Sequence, residues 1–214
     1  MKGSTGDKSG AGDKGGASNN RRAEYAALTR QAIIDAARKL FSSNGFFATR
    51  VEDIAAEARV APATVYAVGG GKHGLLHTLI QQWTTAPVIA STYAHVAVLT
   101  DAEAILRATA SGTREVRAEW GDVMRVVLAT APHDARAAQA LAEATDVYRK
   151  GFVRTARRLA DIDGLRQGTD LDLAVDVLWF YFGYASYFTC VDENGWSLER
   201  AEQWLLDQAR AALL

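Results

Sequence analysis

Apolar side chains in this chain recur at three- and four-residue intervals, the period of an α-helix, and rarely alternate as they would along a strand. The first such run covers about Ala23 to Ser42, where Ile33, Ile34, Ala37, Leu40 and Phe41 fall on one face. Asn44-Gly45 stops it, because glycine tolerates the left-handed conformation that closes helices, and Phe46 and Phe47 follow as apolar anchors. Thr49-Arg50-Val51-Glu52 has the form of a capping box, in which the Thr hydroxyl accepts the Glu52 N–H and the carboxylate accepts the Thr49 N–H. A short helix from Val51 to Ala58 then turns Val51, Ile54, Ala55 and Ala58 inward. After the tight bend Arg59-Val60-Ala61, Pro62 supplies the backbone angle favoured at a first helical position. The third helix runs to about Val68 with Val65 inward, Ala63, Thr64 and Ala67 outward and Tyr66 at the edge.

Gly69-Gly70-Gly71 ends that helix, and from Lys72 a longer one carries Leu75, Leu76, Leu79, Ile80 and Trp83 on one side. Pro87 is expected to bend or interrupt it. Further helices are predicted near 101–119, 121–130, 133–161, 171–190 and 197–213, punctuated by Pro132, Asp163-Gly164 with Gly168, and Asn194-Gly195. The fold class is therefore all-α. Two short helices joined by a three-residue turn and braced by a preceding helix form a helix-turn-helix, in which small Ala55 and Ala58 permit a close crossing. The resulting division is an arm over 1–22, a helix-turn-helix domain over 23–71 and a larger helical domain over 72–214. Met1 to Asn20 is Gly-rich and lacks apolar residues that could offset the entropy of ordering, so the arm is expected to be disordered.

Charge sharpens this division. The net charge of the whole chain is only −1. Residues 1–76, however, hold eleven Lys or Arg against seven Asp or Glu, whereas the remainder holds thirteen against eighteen. A basic front and an acidic back place any DNA contact at the front. The apolar stretch from Val175 to Cys190 is interrupted by Asp176 and falls short of a membrane span, which needs about 20 apolar residues. The polar N-terminus does not read as a secretory signal. Cys190, the lone cysteine, excludes an internal disulfide and fits a reducing cytoplasm, and its aromatic surroundings suggest a buried thiol.

Several chemical classes fall away. His73 and His77 have a metal-ligand spacing but lack an intervening Glu and a third ligand. Gly69-Gly70-Gly71-Lys72 is followed by His73, not Ser or Thr, and follows no strand, so it is not a phosphate loop. No catalytic Ser/His/Asp set, carboxylate pair or cofactor loop emerges, so neither an enzyme nor a cofactor is expected.

The run Ala32-Ile33-Ile34-Asp35-Ala36-Ala37-Arg38-Lys39-Leu40-Phe41, followed by Asn44-Gly45-Phe46, resembles the opening of a TetR (tetracycline repressor) family DNA-binding domain. So do Thr49, Val51-Glu52-Asp53-Ile54-Ala55, Val60, Thr64-Val65-Tyr66 and Lys72 with Leu75-Leu76, and the likeness covers about Thr29 to Trp83. It implies phosphate contacts from Thr49, Tyr66 and Lys72, and base-edge contacts from Ala63 and Thr64. Arg50 and Ala61 belong to the same surface, and Arg21 and Arg22 of the arm are placed to add electrostatic attraction. Two positions depart from the family pattern. Val68-Gly69 stands where His-Phe is usual, removing an aromatic anchor, and Ala61 stands where a capping Ser is common.

The resemblance also implies a homodimer through the last two helices. Leu171 to Cys190 is apolar nearly all round, and 197–213 carries a stripe of Leu198, Ala201, Trp204, Leu205 and Ala209. Candidate linings for an effector pocket are Trp83, Trp120, Met124, Leu128, Tyr148, Phe152, Trp179 and Phe182, with His95 and His133 as polar additions. The leading expectation is a repressor released from a palindromic DNA operator by a small, largely apolar or aromatic molecule. The alternative is a helical small-molecule-binding protein whose helix-turn-helix no longer reads DNA.

Overall fold

The computed structural model of the chain describes residues 14–214, and among these residues the regular elements are all helical. The ten α-helices are α1 (Lys14–Asn44), α2 (Val51–Glu57), α3 (Pro62–Gly69), α4 (Gly71–Thr84), α5 (Pro87–Val98), α6 (Ala102–Thr130), α7 (Ala135–Asp161), α8 (Leu171–Phe182), α9 (Tyr184–Phe188) and α10 (Leu198–Leu213). A 3-10 turn (Ala131–His133) joins α6 to α7, and a π-helical turn (Thr189–Glu193) follows α9.

The short front helices follow their sequence signals closely. The larger corrections come elsewhere. α1 begins at Lys14, so residues 14–22, expected to be a disordered arm, are helical; the expectation for residues 1–13 lies outside the described residues. Of the two outcomes expected at Pro87, interruption holds: α4 ends at Thr84 and Pro87 starts α5, at a position where its missing N–H costs nothing. The boundary expected near 120 is absent, and α6 runs unbroken through Gly121. The single helix expected over 171–190 is broken at Gly183, whose added Cβ would lie 2.3 Å from the Trp179 carbonyl oxygen.

Three of the back helices are capped by acidic side chains at their N-termini. Asp101, Asp134 and Asp170 accept the N–H groups of Ala104, Ala137 and Leu173 at 2.8, 2.9 and 2.8 Å. Ser197 does the same for α10, accepting Arg200 N–H at 3.2 Å.

Two apolar clusters hold the chain together. One joins α1–α4 to the C-terminal half of α6 and the start of α7, through Ile33, Phe41, Ile54, Val65, Leu79, Met124 and their neighbours. The other joins α5, the first half of α6 and the rest of α7 to α8 and α10, through Leu106, Phe152, Leu159, Leu178 and Leu205. Tyr148 and Trp179 pack against both. The long helices α6 and α7 thus span front and back, and a cavity opens between the two clusters.

Candidate nucleic-acid interface and effector cavity

The helix-turn-helix is built around Val51, Ile54, Ala55 and Val65, all buried. Between α2 and α3 the chain turns through Arg59 at φ 57°, and the Val60 N–H donates to the Ala55 carbonyl at 2.9 Å. The left-handed residue lets the carbonyls left open at the end of α2 find donors. α3 therefore lies across α2 with its other side turned outward. Ala61, Ala63, Tyr66 and Ala67 are exposed, Thr64 is half-buried, and the Tyr66 ring is 57% exposed. Ala61 is the N-cap of α3 and offers no side-chain bond there, as its methyl dictates. Arg50 is exposed at the N-cap of α2, and Arg21 and Arg22 are exposed on α1.

Glycines set the α3–α4 corner. Gly70 and Gly71 have φ of 65° and 73°, and a Cβ on Gly74 would lie 2.0 Å from the Gly69 carbonyl oxygen. A Cβ at Gly69 would meet the Leu75 side chain at 2.6 Å. Leu75 therefore fills the space beside the position where the usual aromatic anchor is missing. The crossing is tight without that aromatic.

Two expected phosphate contacts are placed differently. Thr49 is 1% exposed, and its hydroxyl donates inward to the Leu40 and Gly45 carbonyls at 3.1 and 2.8 Å. It satisfies the end of α1 and does not cap α2, whose N-cap is Arg50 with its N–H bonded to the Asp53 carboxylate at 3.0 Å. The capping box is thus shifted by one residue and only half formed, because an Arg side chain has no acceptor. The Thr49 hydroxyl is buried, and its proton is spent on these carbonyls. The Lys72 ammonium donates to the Phe46 carbonyl at 2.7 Å and sits 4.6 Å from the Phe46 ring centroid. Burial pushes its pKa down. Its structural task is to close the turn after α1, with further N–H donors to spare.

Front and back are bracketed at two points. Arg38 on α1 grips Asp122 on α6 with two bonds of 2.8 Å, reaches the Glu119 carbonyl and covers the Trp120 ring at 4.6 Å. Burial alone would raise the Asp122 carboxyl, but hydrogen bonds from Arg38, the Val123 N–H and Ser42 hold it below the usual range. At the other bracket, His73 at the start of α4 meets Asp134, the cap of α7, at 2.8 Å and packs its ring on Phe46. The His73 contact and backbone N–H groups depress the Asp134 carboxyl.

The cavity lies among the C-terminal end of α4, α5, α6 and α7 and is narrow, with about 50 Å³ of room for the centre of a water-sized sphere. Trp83 and Tyr148 line it, as expected from the sequence. The other expected residues do not. Trp120 is under Arg38 at the α1–α6 contact, and Met124 is fully buried beside Arg117. Phe152, Trp179 and Phe182 form an aromatic cluster behind Tyr148, with ring centroids 4.9 Å from Tyr148 to Phe152 and 5.7 Å from Tyr148 to Trp179. Leu128 lies with Trp179 and Phe180 on an outer groove. These large side chains are used for packing, which leaves the empty space where residues are smaller.

Thr92 and Tyr93 of α5, and Thr109, Gly112, Thr113 and Val116 of α6, complete the wall. The α6 residues are legible in retrospect, since small and hydroxyl side chains at 109, 112, 113 and 116 share one helical face where a core helix would carry larger ones. Thr92, Thr109 and Thr113 each donate to a carbonyl of their own helix, so their hydroxyl protons are already in use. Among cavity residues no charged side chain appears. Neither His95 nor His133 lines it; His133 is exposed and packs near Phe47. Within α5 only Val96 is fully buried, so this wall is the one held by the fewest core contacts.

Among the described residues no group of three or more His, Cys, Asp or Glu is placed to hold a metal, and no helix is long and apolar enough to cross a membrane. Cys190 is buried and free, and burial raises its thiol pKa.

Comparison with known proteins bears on both regions. Residues 33–79 match the family model described as "Bacterial regulatory proteins, tetR family". The sequence has no significant match among curated proteins. Among solved structures, FadR from Bacillus subtilis in complex with stearoyl-CoA superposes with a TM-score of 0.70 at 18% identity, covering 86% of this chain and 99% of that one. A SmeT–triclosan complex gives 0.72 at 21% identity, covering 87% and 91%. The fatty acid degradation regulator FadR from Bacillus halodurans gives 0.69 at 18% identity, covering 84% and 93%. The fold is thus shared over most of the chain, while the sequence match runs from the second half of α1 through α2 and α3 into α4. Residues 33–79 match the model of the tetR family of bacterial regulatory proteins, and the helical body shares the fold of the FadR and SmeT structures.

Proposed function

We propose that the protein is a homodimeric transcriptional repressor that reads a palindromic operator with α3 and is released from it by a small, largely apolar molecule held in the cavity. The observation that carries the reading is the outer face of α3, where Ala61, Ala63, Tyr66 and Ala67 stand exposed with no neighbour to cover them. A major groove about 12 Å wide admits such a helix, and methyls and hydroxyls there meet thymine methyls and base edges. Ala63 and Thr64 face the bases, Tyr66 and Arg50 take phosphates, and Arg21 and Arg22 add attraction from α1. Lys72 contributes with the donors left over from its bond to Phe46.

A second copy supplies the two-fold symmetry that a palindrome requires. Leu173 and Phe180 on α8 and Trp204 on α10 are 48%, 66% and 44% exposed, an apolar surface suited to burial against its symmetry mate. The effector reading rests on the cavity's position. Trp83 at the end of α4 lines it, and α4 begins at the corner that positions α3. A molecule that prefers one setting of α4 shifts the spacing of the two recognition helices by its differential affinity for the two states. FadR and SmeT, which share this fold, have been crystallised with stearoyl-CoA and triclosan respectively, so the fold accommodates apolar guests.

The test is fluorescence anisotropy with duplex DNA from the region beside the protein's own gene, against random duplex of equal length at physiological salt. Thr64→Ala with Tyr66→Ala is expected to lower specific affinity by at least about tenfold, the scale of one good base contact. Equal affinity for both duplexes, or no effect of the double variant, would favour a helical binding protein that no longer reads DNA.

A further inference from the structure

Behind the cavity lies a buried charge. Arg117 on α6 is 3% exposed. Its Nη2 donates to the Tyr148 hydroxyl at 3.2 Å and to the Phe182 carbonyl at 3.1 Å, and its Nη1 donates to Met124 Sδ at 3.3 Å. All three acceptors are neutral, and Nε has no partner. Among the described residues no carboxylate is within ion-pair distance of it. The ring centroids of Tyr148, Tyr184, Tyr187 and Phe188 surround the guanidinium carbon at 5.3 to 5.7 Å. Aromatic faces and the carbonyl end of α8 offset part of the cost of burying a cation. They do not neutralise it, and an unpaired buried charge is expensive enough to need a purpose.

Tyr148 connects this charge to the empty space. It lines the cavity, and its hydroxyl both accepts from Arg117 and donates to the Phe182 carbonyl at 2.8 Å. The Phe182 carbonyl therefore receives two donors. If Tyr148 turns its proton toward a guest, that carbonyl keeps its bond from Arg117 and nothing is left unsatisfied. A hydroxyl that accepts from a guanidinium is also a stronger donor. A neutral oxygen arriving there gains one hydrogen bond. An anionic one gains a charge-assisted bond and the attraction of a cation in a poorly screened interior.

We propose that the effector is a small apolar molecule bearing one carboxylate-type anionic group, which accepts the Tyr148 proton with Arg117 behind it as the positioning residue. This rests on the cavity being the effector site and adds the charge of its guest. The rest of the wall, with Trp83, Ile89 and Val116, takes the apolar part.

The test uses isothermal titration of the full chain with 4-phenylbutyrate and its neutral isostere 4-phenylbutyramide. The carboxylate is expected to bind at least about tenfold tighter, the worth of one charge-assisted bond. Tyr148→Phe should bring the ratio to near unity, weakening the carboxylate by about tenfold or more and the amide only by its one neutral hydrogen bond, and Arg117→Met should also level the pair, with Arg117→Lys restoring part of the preference. Circular dichroism confirms that each variant is folded, and Tyr148→Phe suffices if Arg117→Met is not. Equal binding of the pair would overturn the anion inference while leaving the cavity as an effector site. A preference that survives Tyr148→Phe, or loss of both ligands together in that variant, would overturn it too. Binding of neither compound at millimolar concentration would also overturn it, and would leave the DNA-reading proposal standing, since that is measured on the duplex alone.

Discussion

The front and back of this molecule solve opposite packing problems. In the helix-turn-helix, a small set of apolar residues fills the interior completely, and function is left to the side chains that face away. In the back, the large aromatics fill the interior, and function is left to the place where they are missing. A reading surface is therefore the complement of a core stripe, whereas a cavity is a gap in one. The first can be located from the apolar residues themselves, the second only from what their neighbours fail to fill.

This contrast can be broken at several points, beginning with the largest effect. Phe41, 1% exposed and 5.3 Å from the Phe46 ring, anchors the front. Phe41→Ala is expected to cost about 3–5 kcal/mol in urea unfolding and to abolish DNA binding. Gly112→Ala probes the back. Its Cβ would lie 2.2 Å from the Thr92 hydroxyl oxygen and 2.9 Å from Thr92 Cβ, too close to be relieved by rotating so short a side chain. A cost of about 1–3 kcal/mol is expected from overpacking, with effector affinity lost and duplex affinity retained in the effector-free protein. Equal loss of both would show that the two regions are not separable.

Asp122→Asn tests the bracket between the halves. With both partners of the Arg38 pair about a third exposed, the expected loss is only about 1 kcal/mol. The pH dependence follows from the direction of the shift. The Asp122 carboxyl is held below its ordinary value of 3.8 in the folded chain. Its contribution is therefore present above that value and is lost as pH falls through the lower folded one. Stability measured by thermal melts between neutral pH and pH 3 should decline less steeply in Asp122→Asn than in the wild type. Parallel curves would show that the bracket's contribution does not depend on the charge of the Asp122 carboxylate.

How much of this could be read in advance follows the same division. The spacing of Ile33, Ile34, Ala37 and Phe41, and the glycines after α3, located the front helices because each residue there has a local reason. Thr49 does not cap α2, for a physical reason. A threonine before a helix can cap it or turn inward, and the carbonyls of Leu40 and Gly45 compete for the same hydroxyl. Of the aromatics expected at the cavity, only Trp83 and Tyr148 line it. Phe152 and Phe182 are fully buried in packing, while Thr109, Gly112 and Thr113 make room. The break at Gly183 lies in a continuous apolar run whose periodicity carries no mark of it. Arg117 had no signal in the pattern at all, since a lone arginine at a core-phase position reads as a break in a stripe until its aromatic surroundings are seen.

As proposed above, α3 reads DNA as one of a symmetric pair. Selection of bound duplexes from a random library by the purified full-length protein tests it most directly. Enrichment of an inverted repeat whose half-sites lie about one helical turn or slightly more apart is expected, with the enrichment lost in the Thr64→Ala, Tyr66→Ala variant. Recovery of unenriched sequence, or of a motif that the double variant selects equally well, would contradict it.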